Sequence, residues 1–448
     1  MMLPVIAEQF GFKASNKEGW LSGLADVMLS HQAQNGIELS IAFPAPDGFM
    51  RGDITLAIHD LTIRGSALRC YGFKEDTLNA HIYDNKLEDI MENIINDAQP
   101  DMVHCFGTEY PHTLAMCRKF PDRSKILITI QGLCSVYANV FEADLPDKVI
   151  VDVTLRDFLK KDSIPEQKAK YISRGENEIE ALKLAGNIGG RTAWDKHYAH
   201  EFNPGAKYFV MKETLRSDFY EGTWDKDACE KHSIFLSQGD YPIKGLHYML
   251  LAMPEILKRY PDARVYVAGN SVVSYRTFKD KMKISAYGKY LRSLMDKYSL
   301  GDKLVILGKL DSAEMKKQYL KSSLFVCPSA IENSPNSLGE AMLLGMPCVT
   351  SNVGGIPSIF DAGRDGIMYT GTGCSENSFD RDYYKGTDSL YGIANNLANA
   401  VTKMWSSEIK EAEYCKNARV HALIDHDRKA NYEQTLKVYE EICGAVVI

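Results

Sequence analysis

Short apolar runs of five to seven residues alternate with longer amphipathic stretches along almost the whole chain. Runs this short, separated by helix-length segments, are what a parallel sheet covered by helices on both faces requires, so the fold class is α/β. In the first half, "ELSIAF" (38–43), "ITLAI" (54–58), "DMVHCF" (101–106), "KILITI" (125–130) and "AKYFVM" (206–211) read as strands. In the second, "SIFLS" (233–237), "ARVYVAG" (263–269), "KLVILG" (303–308), "SLFVC" (323–327) and "PCVTS" (347–351) do the same. Polar residues and a glycine interrupt the pattern at 219–232, and 448 residues exceed one ordinary core. Two domains are expected, 1–220 and 221–426, followed by a C-terminal segment, 427–448, whose amphipathic helix crosses back to the first domain.

Composition removes several function classes. The chain carries 52 basic and 59 acidic residues, a net charge of −7, which argues against a nucleic-acid binder and for small-molecule partners. Its 10 cysteines form no C-x-x-C pair and several sit in apolar runs, as buried free thiols in a reducing compartment do. No apolar run reaches the ~18 residues needed to cross a bilayer, and the N-terminus lacks a secretory pattern. A cytoplasmic location is expected.

The stretch "SAIENSPNSLGEAMLLGMPCVT" (329–350) holds two glutamates eight positions apart. It reads as the loop at the C-terminal end of a buried strand, then a helix closed by Gly345 with Pro347 beyond it. Such a loop lies where parallel sheets bind ligands. Asn336 or Ser334 is placed to cap the helix, whose first-turn N–H groups and partial positive charge suit a phosphate. Glu340, read into the first turn, needs no more than helix-start chemistry to explain it. Glu332 precedes the helix, has no capping duty, and is suited to accepting hydrogen bonds from sugar hydroxyls.

The longer segment "PSAIENSPNSLGEAMLLGMPCVTSNVGGIPS" (328–358) resembles the E-x7-E signature of family 4 glycosyltransferases, in particular a bacterial branch of capsule and exopolysaccharide synthesis. "HCFGTEYPHTLAM", "GRTAWDK", "KETLRSDFY", "YPIKGLHYML", "VYVAGN" and "YGKYLRSLM" resemble further segments of that branch. The resemblance implies the GT-B fold, two Rossmann-like doubly wound domains facing across a cleft, and retaining transfer of a sugar from a nucleotide diphosphate to a hydroxyl acceptor. It implies that Glu332 holds hydroxyls of the transferred sugar, that the backbone of Ser334, Pro335, Asn336, Ser337 and Leu338 cradles the distal phosphate, and that Glu340 binds the ribose hydroxyls. Lys244 would place a cation on the diphosphate and stabilise the leaving group. Gln238, followed by Gly239, stands where the family usually carries an arginine, so an amide replaces a charge. Arg276, Lys279, Lys281 and Lys283 are candidates to supply it, against a solvated surface run.

The first domain would receive the acceptor, a saccharide or a lipid-linked sugar. His104, Glu109 and Gln131 follow strands at the ligand end of its sheet, and Trp20 belongs to the segment that resembles the family's acceptor loop. Arg191 faces the cleft or braces Asp195, the second being preferred. Asp380 and Asp382 form a D-x-D, but no buried strand precedes them, and neither a metal nor another cofactor is expected. A GT-B sugar-nucleotide epimerase and a non-catalytic two-lobed sugar receptor are the alternative readings. A nicotinamide oxidoreductase is disfavoured because "GNIGGR" lacks the dinucleotide-binding spacing.

Two further expectations concern particular segments. Residues 156–174 carry six basic and three acidic side chains beside Phe158, Leu159, Ile164, Tyr171 and Ile172, which would suit peripheral contact with an anionic inner-membrane face. Leu3 to Ala7, interrupted by Pro4, makes a poor central strand, so the first sheet is expected to lack its opening strand and to hold the loop at Glu18, Gly19 and Trp20 poorly.

Overall fold

A computed structural model of the chain describes residues 2–12, 19–46, 48–50, 52–63, 65–273, 277, 282–371 and 390–444. Its contacts divide into two compact units. Unit 1 comprises Met1–Ser135, Ile172–Ser217 and Asp425–Ile448; unit 2 comprises Val136–Tyr171 and Asp218–Ile424.

Among the described residues, unit 2 contains one parallel sheet of six strands. They are β8 (Glu230–Leu236), β9 (Arg264–Ala268), β10 (Leu304–Gly308), β11 (Ser322–Cys327), β12 (Cys348–Ser351) and β13 (Ile367–Tyr369). The order is β10-β9-β8-β11-β12-β13. The chain therefore winds outward from β8 in one direction and from β11 in the other, with the reversal between these two central strands. The apolar positions of β8, β11 and β12 are almost entirely inaccessible, which is why these strands read as continuous apolar runs and not as alternating ones. Leu246–Arg259 and Leu390–Trp405, two of the helices covering the sheet, bury residues at helical spacing.

Among the described residues, unit 1 contains two sheets. Strands β1 (Ser40–Pro44), β2 (Leu56–Ile63) and β3 (Ser66–Phe73) are ordered β1-β3-β2, with β2 and β3 antiparallel and β1 parallel to β3. Strands β4 (Val103–Phe106), β5 (Ile126–Thr129), β6 (Asn187–Gly190) and β7 (Lys207–Val210) follow one another in a parallel sheet. The C-terminal helix Arg428–Cys443, capped by Asp427, sets Val438 and Ile442 against Leu127 and Phe209 of this second sheet and Met211 just beyond it. Residues Pro4–Gln9 are helical, and Leu3, Ile6 and Ala7 pack on Phe43, Ile63 and Leu68.

Several features depart from the sequence reading, among them β13, whose three residues make no readable run. Residues 136–171, assigned there to the first domain, group with unit 2, because their polar atoms find partners in it. His247 Nε2 bonds the Ala143 carbonyl at 2.8 Å, Tyr248 donates to Asp144 at 2.6 Å, and the Ala286 N–H donates to Asp157 at 2.8 Å. Strand β3 ("SALRCYGF") was missed because Arg and Gly break its apolar run. Strand β6 was missed because "NIGG" offers one apolar side chain, although all four residues are buried.

The glycines of β6 are there for space. A Cβ on Gly190 would sit 2.5 Å from Asp195 Oδ1 and 2.6 Å from the Tyr208 hydroxyl. Asp195 in turn accepts the backbone N–H groups of Arg191 and Thr192 and the Tyr208 hydroxyl, closing the start of helix Ala193–Phe202. Gly190→Ala should therefore cost about 2 kcal/mol of unfolding free energy through overpacking. Gly205→Ala, where the nearest atom is 3.5 Å away, should stay within about 0.5 kcal/mol of the parent in the same urea titration.

Candidate active site

The reversal of winding between β8 and β11 brings two loops together at the C-terminal ends of these strands. The β8 loop turns through a short helix at Pro242–Lys244 into Gly245, whose φ of +71° is left-handed. A Cβ there would lie 1.9 Å from the Pro328 carbonyl, so glycine is required twice over, by conformation and by space. Close approach lets the Ala330 N–H donate to the Ile243 carbonyl at 2.7 Å, tying one loop to the other.

Lys244 and Glu332 meet across this junction, Nζ to Oε1, at 2.5 Å. The Ser329 hydroxyl donates to the same Glu332 oxygen at 2.8 Å, and the Tyr241 ring lies 5.8 Å from the ammonium. Glu332 is 7% exposed. Burial pulls the Lys244 pKa down, but the charge of Glu332, with Tyr241 beside it, overrides that and holds it well above the ordinary lysine value. The lysine is therefore a fixed cation. Behind Glu332, its carbonyl accepts the Gly355 N–H at 2.9 Å, and Gly354 sits so close that a Cβ would come within 2.1 Å of the same oxygen. The Asn333 N–H donates to the Tyr137 hydroxyl oxygen at 3.1 Å.

The helix that follows, Asn336–Leu343, begins with Pro335 at the cap position and has no side-chain cap. Neither Asn336 nor Ser334 caps it, contrary to expectation: Pro335 occupies the position, and the Asn336 Oδ1 is buried without a hydrogen bond. Its first turn consequently keeps N–H groups at Asn336 and Ser337 that no side chain satisfies, while those of Leu338 and Gly339 turn back to the Pro335 carbonyl. Glu340 lies in the second turn, not the first, so helix-start chemistry does not account for it. It is buried, with the Tyr319 hydroxyl 3.3 Å from its Oε2.

The rest of the donor-side set divides. Gln238 donates its amide to Asp240 at 2.9 Å, and Gly239 packs where a Cβ would press on Leu246 and Val267 at 2.9 Å. Lys283 is exposed, and Arg276, Lys279, Lys281, Asp380 and Asp382 lie outside the described residues. Ser329, Tyr241 and Tyr137 were missed by the sequence reading. Tyr137 lies 196 positions from its partner, so no local pattern could have found it.

In unit 1 the residues proposed for the acceptor are held by their neighbours. His104 contacts Tyr439 through Nδ1 at 2.7 Å and Thr129 through Nε2, and burial lowers its pKa to about 3. It is a neutral ring with both nitrogens engaged. Gln131 accepts from Arg191 at 3.0 Å, and Arg191 pairs with Glu213 at 2.9 Å. The Arg191 side chain thus does not brace Asp195; only its backbone N–H does. His104, Gln131 and Glu213 line one cavity of about 30 Å³, room for a water. Glu109 stands in the loop after β4, its carboxyl raised above the usual range by burial, and Arg174 donates to its carbonyl at 2.9 Å. Trp20 lies in the first turn of helix Gly19–Asn35, and its side chain, like all of Glu18, is outside the described residues.

A buried acid absent from the sequence reading organises these loops. Glu178, inaccessible to solvent, accepts from the Thr108 hydroxyl at 2.6 Å, the Cys134 and Ser135 N–H groups at 3.0 Å, and the Ser135 hydroxyl at 2.6 Å. It thereby joins the loop after β4 to the loop after β5. Burial raises its pKa to about 7. Because the folded value lies above the unfolded one, its contribution to stability is full near pH 4 and is lost as pH rises through 7. Between pH 5 and 8 the unfolding free energy of the parent should fall relative to Glu178→Gln by up to about 3 kcal/mol. A pH-independent difference in urea unfolding would contradict this.

Comparison with known proteins bears on the family and the fold. Residues 224–379 match the family model of group 1 glycosyl transferases. A segment of 138 residues is 32% identical to glycosyltransferase MJ1607 of Methanocaldococcus jannaschii, over 31% of each chain. The chain spans about a third of the length of the first relatives it matches. Among solved structures, sucrose-phosphate synthase from Thermosynechococcus elongatus superposes with a TM-score of 0.66 at 15% identity, over 97% of this chain and 95% of that one. Anabaena Alr3699/HepE in complex with UDP and glucose superposes with a TM-score of 0.61 at 13% identity, over 96% of this chain and 98% of that one. Residues 224–379 are thus similar to the group 1 glycosyl transferases, in a chain with the two Rossmann-like domains of the GT-B fold.

Proposed function

We propose that the chain is a retaining glycosyltransferase that moves a sugar from a nucleotide diphosphate to a hydroxyl acceptor in the assembly of a bacterial surface polysaccharide. The observation that carries this reading is the contact of Lys244 with Glu332 beside a helix start without a side-chain cap. A cation and free backbone N–H groups together suit a diphosphate, and a carboxylate next to them suits the hydroxyls of the attached sugar. When the donor binds, its phosphate oxygens share the Lys244 ammonium with Glu332. As the bond from the anomeric carbon to the phosphate oxygen breaks, the growing negative charge meets a positive group already in place, which is where electrostatic stabilisation acts. Glu340, buried one turn along, is the candidate for the ribose hydroxyls.

The departing phosphate itself takes the acceptor proton in this reading, so no carboxylate serves as nucleophile and no metal is needed for the chemistry. A uridine diphosphate hexose is the first donor to test, since the Anabaena protein was solved with UDP and glucose. Release of free nucleotide diphosphate only when an acceptor is present would support transfer; conversion of the donor sugar without acceptor would identify an epimerase. Glu332→Gln and Lys244→Ala should each lower turnover by about 10²-fold or more at an unchanged fold, judged by circular dichroism. Turnover within twofold of the parent in either variant would overturn the assignment. Full activity in the presence of a chelator is expected, and loss that manganese restores would show a metal requirement.

A membrane-bound acceptor gives a second testable element. Among the described residues no helix is long and apolar enough to cross a membrane. Arg156 and Lys168 are paired with acids, and Ile164 is buried, so the basic apolar segment is smaller than its sequence suggested. Phe158 and Leu159 remain about 70% exposed, followed by exposed Lys160 and Lys161. We assign this tip to peripheral contact with anionic lipid at the cytoplasmic face. Binding to phosphatidylglycerol vesicles should fall with salt and be lost in Phe158→Ser/Leu159→Ser. Absence of binding in the parent at low salt would remove the idea.

A further inference from the structure

We propose that Asp361, Asp365 and His421 form a site for one divalent cation of the zinc class, which fastens the turn before β13 to helix Glu408–Asp425. One ligand atom from each residue lies within 4.8 Å of the others. Asp361 and Asp365 sit in the turn leading into β13, and His421 comes from the helix. Because the sheet is parallel, this turn is at the N-terminal end of its strands, opposite the loops that carry Lys244 and Glu332. The site is therefore separate from the proposed transfer chemistry.

The buried carboxylate is what calls for a cation. Asp365 is inaccessible to solvent. Its Oδ2 accepts the Asp361 N–H at 2.8 Å and contacts His421 Nδ1 at 2.6 Å. Its Oδ1 is equally buried and has no hydrogen-bond partner. An anionic oxygen left bare in the interior is costly, and a histidine that satisfies only the other oxygen does not remove the cost. An imidazole with two carboxylates is a donor set that zinc, cobalt and manganese accept, with water filling the remaining positions. The third ligand is free to adjust: the Asp361 side chain is 49% exposed and held by Arg364, itself 57% exposed, at 2.8 Å. Rotating Asp361 away from Arg364 closes the triangle at little cost, since exposed ion pairs contribute little.

The test uses the tag-free full chain, stripped with chelator and titrated with Zn²⁺ by calorimetry, with Co²⁺ as the absorbing probe. One ion should bind per chain, raise the melting temperature, and produce a visible cobalt band. Asp361→Asn and His421→Asn should each weaken binding by at least about tenfold. No binding by the parent, or zinc binding that survives Asp361→Asn unchanged, as it would if held by thiols elsewhere, overturns the proposal. Should His421→Asn fail to fold, the exposed position of Asp361 keeps its variant decisive. Melting temperature and cobalt absorption report this site independently of turnover, so failure here leaves the transferase reading standing, and the reverse also holds.

Discussion

The contact of Lys244 with Glu332 depends on the point at which the winding of the unit 2 sheet reverses. Strands β8 and β11 are neighbours in space and about ninety positions apart in the chain, and only at such a junction do two ligand-end loops leave adjacent strands in opposite directions. Removing a lysine and a glutamate from water is expensive, and their mutual attraction returns the cost only when the geometry is good and the remaining valences are filled. Here Ser329 fills one, and Gly245 and Gly354 let the backbones come close enough to fix both side chains. A site that spends stability on an ion pair of this kind keeps a charge ready before a ligand arrives.

Unit 1 solves a different problem with the same means. Its ligand-end loops are joined not by an ion pair but by one carboxylate, Glu178, that accepts four hydrogen bonds. In the same unit Arg191, Glu213 and Gln131 form a second buried network, in which Arg191 donates to Gln131 and pairs with Glu213. Polar networks of this kind rigidify loops when complete and leave them sensitive to water or ligand when not. The loops around Lys244 and Glu332 are held by strand geometry and glycine contacts, and those of unit 1 by polar bonds that protonation alters.

What the sequence made legible follows from how local each determinant is. Ten strands could be read because each is a contiguous apolar run, and the helix after β11 could be read because Gly345 and Pro347 end it. Strand β6 could not, since its burial is set by Met211, Asp195 and Tyr208, which lie elsewhere in the chain and leave room only for glycine. Lys244 and Glu332 were legible as separate loop residues through a family pattern, whereas their contact, with Tyr241 and Ser329 around it, depends on strand order. The cap was misread because Asn and Ser are good caps in isolation, and Pro335 fixes the chain entry so that neither reaches the helix amides. Residues 136–171 were assigned to the wrong unit because position along the chain was the only guide, and the bonds of Ala143, Asp144 and Asp157 are long-range.

The protonation states on the unit 1 loops bear on the proposed chemistry. A general base must hold a free lone pair near the operating pH. His104 does not qualify as a mobile base, because both ring nitrogens are in contact with hydroxyls and burial depresses its pKa to about 3. Glu178 has a pKa near neutrality, but its oxygens are occupied by Thr108, Cys134 and Ser135, and releasing them would loosen two loops at once. Glu109 is left as the one candidate among the described acids and histidines of these loops, and its carboxyl folds back toward Gly107, where a Cβ would meet it at 2.3 Å. With these groups committed to structure, the unit 1 loops are poorly suited to supplying a general base. In the proposed transfer that would leave proton removal to the donor's own phosphate, with Lys244 held as a cation by Glu332.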